Sequence, residues 1–159
     1  MESGKFEDMR RSMVDSQLRT SGVTESWVLA AMGSIAREDY VPVSHQTTAY
    51  MDRSLELENG LTLNPPVSTA LLLQAAEVRA DDSVLLIGQT DGYVAAILKT
   101  RTTHLTTAAA DSLDAARSHA PYACIIVDGA AEELPDALFT LAADGARLVT
   151  GIVEGAVTR

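Results

Sequence analysis

The stretch that most constrains this chain is Ser83–Lys99, SVLLIGQTDGYVAAILK. Val84-Leu85-Leu86-Ile87 is an apolar run bounded by Asp81-Asp82-Ser83 on one side and Gly88 on the other, and Tyr93–Leu98 has the spacing of a short amphipathic helix. The pattern predicts a buried strand, a tight turn and a helix. In an open parallel sheet such a turn sits at the carboxyl edge, where free N–H groups and the positive end of a helix dipole attract ligands. Gly88 and Gly92 are the positions at which backbone approaches a ligand or takes positive φ without a Cβ penalty. Strand-turn-helix units with two glycines also occur where nothing binds, so a purely structural turn is the competing reading.

The flanking segments supply further alternating elements. Phe6, Met9, Met13, Gln17 and Leu18 fall near helical spacing and predict a helix closed by Gly22. Thr24 or Ser26 then caps a second helix on which Val28, Leu29, Met32 and Ile35 recur. Arg37–Tyr50 reads as a polar loop broken at Pro42, and Met51–Gly60 as loop with a short hairpin arm. Pro65 and Pro66 exclude a helix interior, but Pro66 suits the first position of a helix carrying Val67, Ala70, Leu71, Gln74, Ala75 and Val78 on one face. Beyond Lys99 come a marginal strand around His104-Leu105, a buried strand over Pro121–Asp128 and a short helix over Leu134–Leu141. A turn at Asp144-Gly145 and a third apolar strand, Arg147–Val153, complete the series. Strands alternating with helices predict an α/β chain with a parallel, doubly wound sheet.

Charge and cysteine usage narrow the function classes. A formal charge of −10 over 159 residues argues against a sequence-independent grip on nucleic acid or an anionic membrane. Cys124 is the only cysteine, so no intrachain disulfide forms and a reducing compartment suits the chain. No apolar run approaches a membrane span and the N-terminus lacks a signal-peptide core, which predicts a cytoplasmic protein. His45, His104 and His119 lack ligand-pair spacing, so no metal site is expected. Asp81-Asp82 and Glu132-Glu133 read as solvated charges.

Three ordered stretches carry a family resemblance: Met13–Pro42, Leu61–Ala70 and, most specifically, Ala120–Val149. Together they resemble the S-adenosylmethionine-dependent protein-L-isoaspartate O-methyltransferases. The resemblance implies a Rossmann-like, doubly wound, mostly parallel sheet with helices on both faces, formed by residues 61–159. Residues 1–60 then form an N-terminal helical segment and arm on the same structural domain. It also implies a protein-repair activity: methyl transfer from S-adenosylmethionine to the carboxylate of isoaspartyl residues in damaged proteins. Gly88, Gln89, Thr90 and Gly92 would form the cofactor turn, Asp111 would contact the adenine, and Asp128-Gly129 would face the same crevice. Thr62 and Asn64, in the segment similar to the family's substrate loop, would hydrogen-bond the isoaspartyl carboxylate as the catalytic pair.

Departures from the family pattern fall where the chemistry belongs. The cofactor turn of the family reads acid-x-G-x-G-x-G, whereas Leu86 stands here for the acid and Thr90 for the middle glycine. Asn64 replaces a serine, and Ala110-Asp111-Ser112 stands where the family has GDG. The family's second strand and its helix are absent between Lys99 and Thr103, and the chain stops short of the last antiparallel strands. A sheet so reduced has two bare edges, predicting self-association as a homo-oligomer or covering of an edge within the chain. These departures motivate a second expectation, a non-catalytic homologue that has lost the cofactor and serves as a binding or oligomerising module. Structural readings also stand beside the site roles: Asp111 as N-cap of a helix near Leu113, Asp128 as cap of a helix after Gly129, and Thr62 as an ordinary strand residue.

Overall fold

The computed structural model describes residues 3–58, 60–131, 134–154 and 157–158. The chain forms two compact units, Met1–Gln74 and Ala75–Arg159.

In the first unit, α1 (Ser3–Met13) continues through a π-helical turn, Val14–Leu18, and a 3-10 turn, Arg19–Ser21. Gly22 ends the run at φ +92°, the left-handed closure its position predicts. Phe6, Met13, Val14 and Leu18 form the buried stripe. In α2 (Ser26–Ser34), Val28, Leu29, Ala31 and Met32 are buried. Neither Thr24 nor Ser26 caps it; Glu25 holds the N-cap position without a side-chain bond. Gln74 acts in their place. Its Oε1 accepts from the N–H groups of Thr24 (2.8 Å) and Glu25 (3.1 Å), and its Nε2 donates to the Gly22 carbonyl (3.1 Å).

Residues expected as loop contain two 3-10 segments, Arg37–Tyr40 and Val43–Thr48, separated at Pro42. They are fixed by a polar cluster. The Glu38 carboxylate accepts from Arg10 Nη2 (3.0 Å) and from the Tyr50 hydroxyl, to which Arg10 Nε also donates (2.7 Å). Burial first, and the neighbouring Glu38 next, push the Tyr50 phenol well above its ordinary range. The hairpin arm is present, with β1 (Leu55–Glu56) antiparallel to β2 (Thr62–Leu63). Next comes α3 (Pro66–Ala76), which begins on Pro66 as expected. Its buried face is Thr69, Ala70, Leu73 and Ala76, whereas Leu71 is exposed. The run Leu71-Leu72-Leu73 offers three equally apolar registers, so the pattern does not select the one that packing chooses.

The second unit is built on β3 (Ser83–Ile87), α4 (Tyr93–Lys99), β4 (His104–Ala108), β5 (Tyr122–Ala131), α5 (Asp136–Leu141), β6 (Ala142–Glu154) and β7 (Val157–Thr158). The strand order is β4-β3-β5-β6-β7, parallel except for the last pair. Alternate strand residues point to opposite faces. Leu85, Ile87 and Ile125 meet Leu138 and Leu141 of α5 and Ala116 of the 3-10 segment Leu113–His119. Val84, Leu86, Cys124 and Ile126 of the opposite face are equally buried. Burial on both faces explains why these strands read as continuous apolar runs.

Four expectations change in this unit. The Tyr93–Lys99 helix is not amphipathic, since Tyr93, Val94, Ala95, Ile97 and Leu98 are all buried. Asp144-Gly145 lies inside β6, where the register jumps from Tyr122 opposite Ala142 to Cys124 opposite Arg147. Gly145, at φ +74°, sits in that irregularity, so a turn signal has become a bulge. Asp82 is buried, not solvated: its carboxylate pairs with Arg147 Nη2 and accepts from the Arg79 N–H (2.9 Å). No helix begins at Gly129, because β5 runs on to Ala131, so Asp128 is a strand residue and not a helix cap. Glu132 and Glu133 lie outside the described residues. Of the two edges expected to be bare, that of β6 is paired by β7 at Val153 and Glu154.

Candidate active site at the carboxyl edge of the sheet

Parallel pairing aligns the carboxyl ends of β4, β3 and β5, with Ile87 opposite Ala108 on one side and Val127 on the other. The turns that leave these strands therefore gather along one edge. After β3 comes the turn Gly88–Gly92, after β4 the turn containing Asp111, and beside Gly88, within β5, Asp128-Gly129.

Gly88 has φ +153°, a region that side-chain-bearing residues avoid, and donates its N–H to the Ala108 carbonyl (2.9 Å). A Cβ placed on it would come within 3.1 Å of the Asp128 Cβ. Gly129, at φ +144°, has nothing within 4 Å of where its Cβ would stand. Gly88 thus makes room for the Asp128 side chain, whereas the space beside Gly129 is open among the described residues. Gly92 differs: its φ of −90° is ordinary, and what needs glycine there is space. A Cβ on Gly92 would meet Gln89 Cδ at 2.9 Å and its Cβ at 3.0 Å, so the Gln89 side chain folds back over the helix start. Thr90 and Asp91 are exposed at the tip of the turn.

Asp111 is exposed in the turn closed by the Ser112 N–H on the Ala109 carbonyl (3.0 Å). It is not the helix cap. Ser112 holds that position, without a side-chain bond, and the segment it precedes is 3-10. Leu86, where the family pattern has an acid, is fully buried.

Thr62 and Asn64 belong to the first unit. Thr62 is exposed on β2, paired with Glu56. Asn64 is half-buried, and its main-chain carbonyl accepts from Arg37 Nη2 (2.8 Å). Arg37 is the residue that sequence reasoning missed. It is fully buried, and charge predicts exposure, so only the folded chain shows it. Among the described residues no group of His, Cys, Asp or Glu is arranged to hold a metal ion, and no helix is long and apolar enough to cross a membrane.

Exposed carboxylates stand in the turns after β3 and β4 at Asp91 and Asp111, and Asp128 stands in β5 beside Gly88. The side chain that intrudes, Gln89, ends in a flexible amide able to swing away.

Residues 9–108 match the family model described as Protein-L-isoaspartate(D-aspartate) O-methyltransferase, PCMT. The Protein-L-isoaspartate O-methyltransferase of Koribacter versatilis is 30% identical over 165 aligned residues, covering 88% of this chain and 74% of that protein. That of Methanoculleus marisnigri is 30% identical over 177, covering 96% and 80%. Both alignments are longer than the 159 residues of this chain, so these relatives carry internal residues that it lacks. A solved protein-L-isoaspartate O-methyltransferase superposes with TM-score 0.67 at 21% identity, covering 90% of this chain and 55% of that one. A Plasmodium falciparum structure assigned to the same family, in complex with S-adenosyl-L-homocysteine, superposes at 0.71 and 16% identity, covering 94% and 86%. The fold is that of these structures, and the chain belongs to the protein-L-isoaspartate(D-aspartate) O-methyltransferase family.

Proposed function

We propose that this chain is an S-adenosylmethionine-dependent methyltransferase acting on the free carboxylate of isoaspartyl residues in proteins. The observation that carries the reading is that parallel pairing brings the Gly88–Gly92 turn and Asp128-Gly129 side by side along one sheet edge, in a chain of this family. When bound, S-adenosylmethionine supplies an electrophilic methyl group on sulfur. Gly88, Gln89, Thr90 and Gly92 line its turn, Asp111 accepts from the adenine amine, and Asp128-Gly129 closes the crevice. Thr62 and Asn64 hydrogen-bond the isoaspartyl carboxylate. That carboxylate is already ionised at neutral pH, so the chain needs no general base and acts by aligning and drying the reacting groups. The buried, free Cys124 suits a reducing, cytoplasmic setting.

Calorimetric titration with S-adenosylmethionine, followed by methyl transfer to an isoaspartyl peptide, tests this reading. Absence of binding at millimolar cofactor overturns it. A second reading, a non-catalytic homologue, is favoured by buried Leu86 and by Gln89 lying over Gly92. Folded protein that leaves the cofactor unbound would select it. Homo-oligomerisation through the outer edge of β4 is a separate proposal, overturned by a monomeric mass in light scattering at high concentration.

A further inference from the structure

Arg37 is fully buried, and two of its donors end on main-chain carbonyls: Nε on Ala49 (2.5 Å) and Nη2 on Asn64 (2.8 Å). Its own N–H donates to the Tyr50 hydroxyl (3.1 Å). A guanidinium presents donors in a rigid fork, so two carbonyls bound to it are fixed in direction as well as distance. Both carbonyls lie at critical places. Ala49 comes directly after the 3-10 segment Val43–Thr48, and Asn64 links β2 to Pro65 and α3. The residue before a proline is restricted to extended backbone. Leu63 is buried on one side of Asn64, and on the other the Val67 N–H is held by Asp52 Oδ1 (3.1 Å). The Arg37 bond therefore clamps the middle of a short segment whose two ends are already tied.

We propose that Arg37 is a positioning residue for substrate: through the Asn64 carbonyl it sets where the Thr62 and Asn64 side chains meet the isoaspartyl carboxylate. The inference rests on the substrate-loop role of Thr62 and Asn64 in the proposed function. Arg37 touches neither substrate nor cofactor itself. Its charge is turned to main-chain geometry, and lysine, with one compact ammonium group, cannot span both carbonyls in the same plane.

The test compares wild type with Arg37→Lys, and with Arg37→Gln should the first fail to fold. Isoaspartyl-peptide KM and kcat, S-adenosylhomocysteine affinity by calorimetry, and amide exchange over residues 61–64 are measured at a temperature where circular dichroism shows folded protein. The expected result is a peptide KM raised about tenfold, the loss of one charge-assisted hydrogen bond, with cofactor-product affinity unchanged and faster exchange at Leu63. A merely structural role would lower both affinities together. Equal KM in wild type and variant, or parallel loss of both affinities, overturns the role of Arg37 alone. A wild-type chain that neither binds nor methylates the peptide overturns the functional reading, and the substrate role of Arg37 with it.

Discussion

Gly88 lies against Asp128 across the β3–β5 pair, so close that a Cβ on Gly88 would stand 3.1 Å from the Asp128 Cβ. Gly88→Ala carries two penalties, contact with a neighbouring side chain and a φ of +153° that alanine avoids. The variant should lose roughly 1–3 kcal/mol in urea unfolding and weaken S-adenosylhomocysteine binding. An unchanged unfolding midpoint would refute the close approach.

Leu86 sits in β3 between Thr107 of β4 and Ile126 of β5, fully buried. Restoring the family's acid with Leu86→Glu places a carboxyl among apolar neighbours. At pH 7 the cost should be about 3 kcal/mol or more, as for an uncompensated buried charge. Burial raises the carboxyl's folded pKa above its unfolded value, so the variant is least impaired in acid and loses stability as pH rises. Urea midpoints at pH 5 and pH 8 check the sign. A variant as stable as wild type with tighter S-adenosylhomocysteine binding would show that the position still accepts charge.

The Asp82–Arg147 pair ties the entry of β3 to β6, and Arg147 Nε also donates to the Ala76 carbonyl (2.7 Å). Asp82 and Arg147 side chains are 11% and 27% exposed, which places the pair among ion pairs that are costly to break from one side. Arg147→Met should destabilise by about 3 kcal/mol, and adding Asp82→Asn should recover part of that loss. Additive losses in a double-mutant cycle would show that the two residues do not act together.

Burial pushes the Cys124 thiol from 9.0 up to about 11. The unfolded chain releases this proton first, so stability from this group is full below pH 9 and declines as pH rises from about 9 to 11. Urea midpoints across that window should fall, and Cys124→Ala should flatten the fall. The native thiol should also resist a disulfide reagent at pH 8 and react on unfolding; immediate modification of folded protein would contradict the burial.

Local signals of one kind were legible: apolar runs for β3 and β5, Pro66 for a helix start, Gly22 for a helix end. Packing decided what several acceptable local patterns left open, as in the register of α3. Asp144-Gly145 carries a turn signature, yet its neighbours pair with β5 and absorb it into a strand. Within the site, Gly88 was readable because only glycine tolerates its φ. The space requirement at Gly92 was not, since it depends on where the Gln89 side chain folds. Arg37, Asp82 and Arg147 escaped for a shared reason: charged residues read as surface until their partners are seen.

The amide of Gln74 meets the two N–H groups just before α2, those of Thr24 and Glu25, from about fifty positions along the chain. A helix whose entry is completed by so distant a group cannot be assembled from neighbouring residues alone. The turn at Thr24-Glu25 reaches its native hydrogen bonding only once the intervening chain has been brought round, a loop whose closure carries an entropic cost before any reward. Ordering of α2 is thereby linked to the arrival of α3. Gln74 therefore makes the entry of α2 a long-range feature of the native structure.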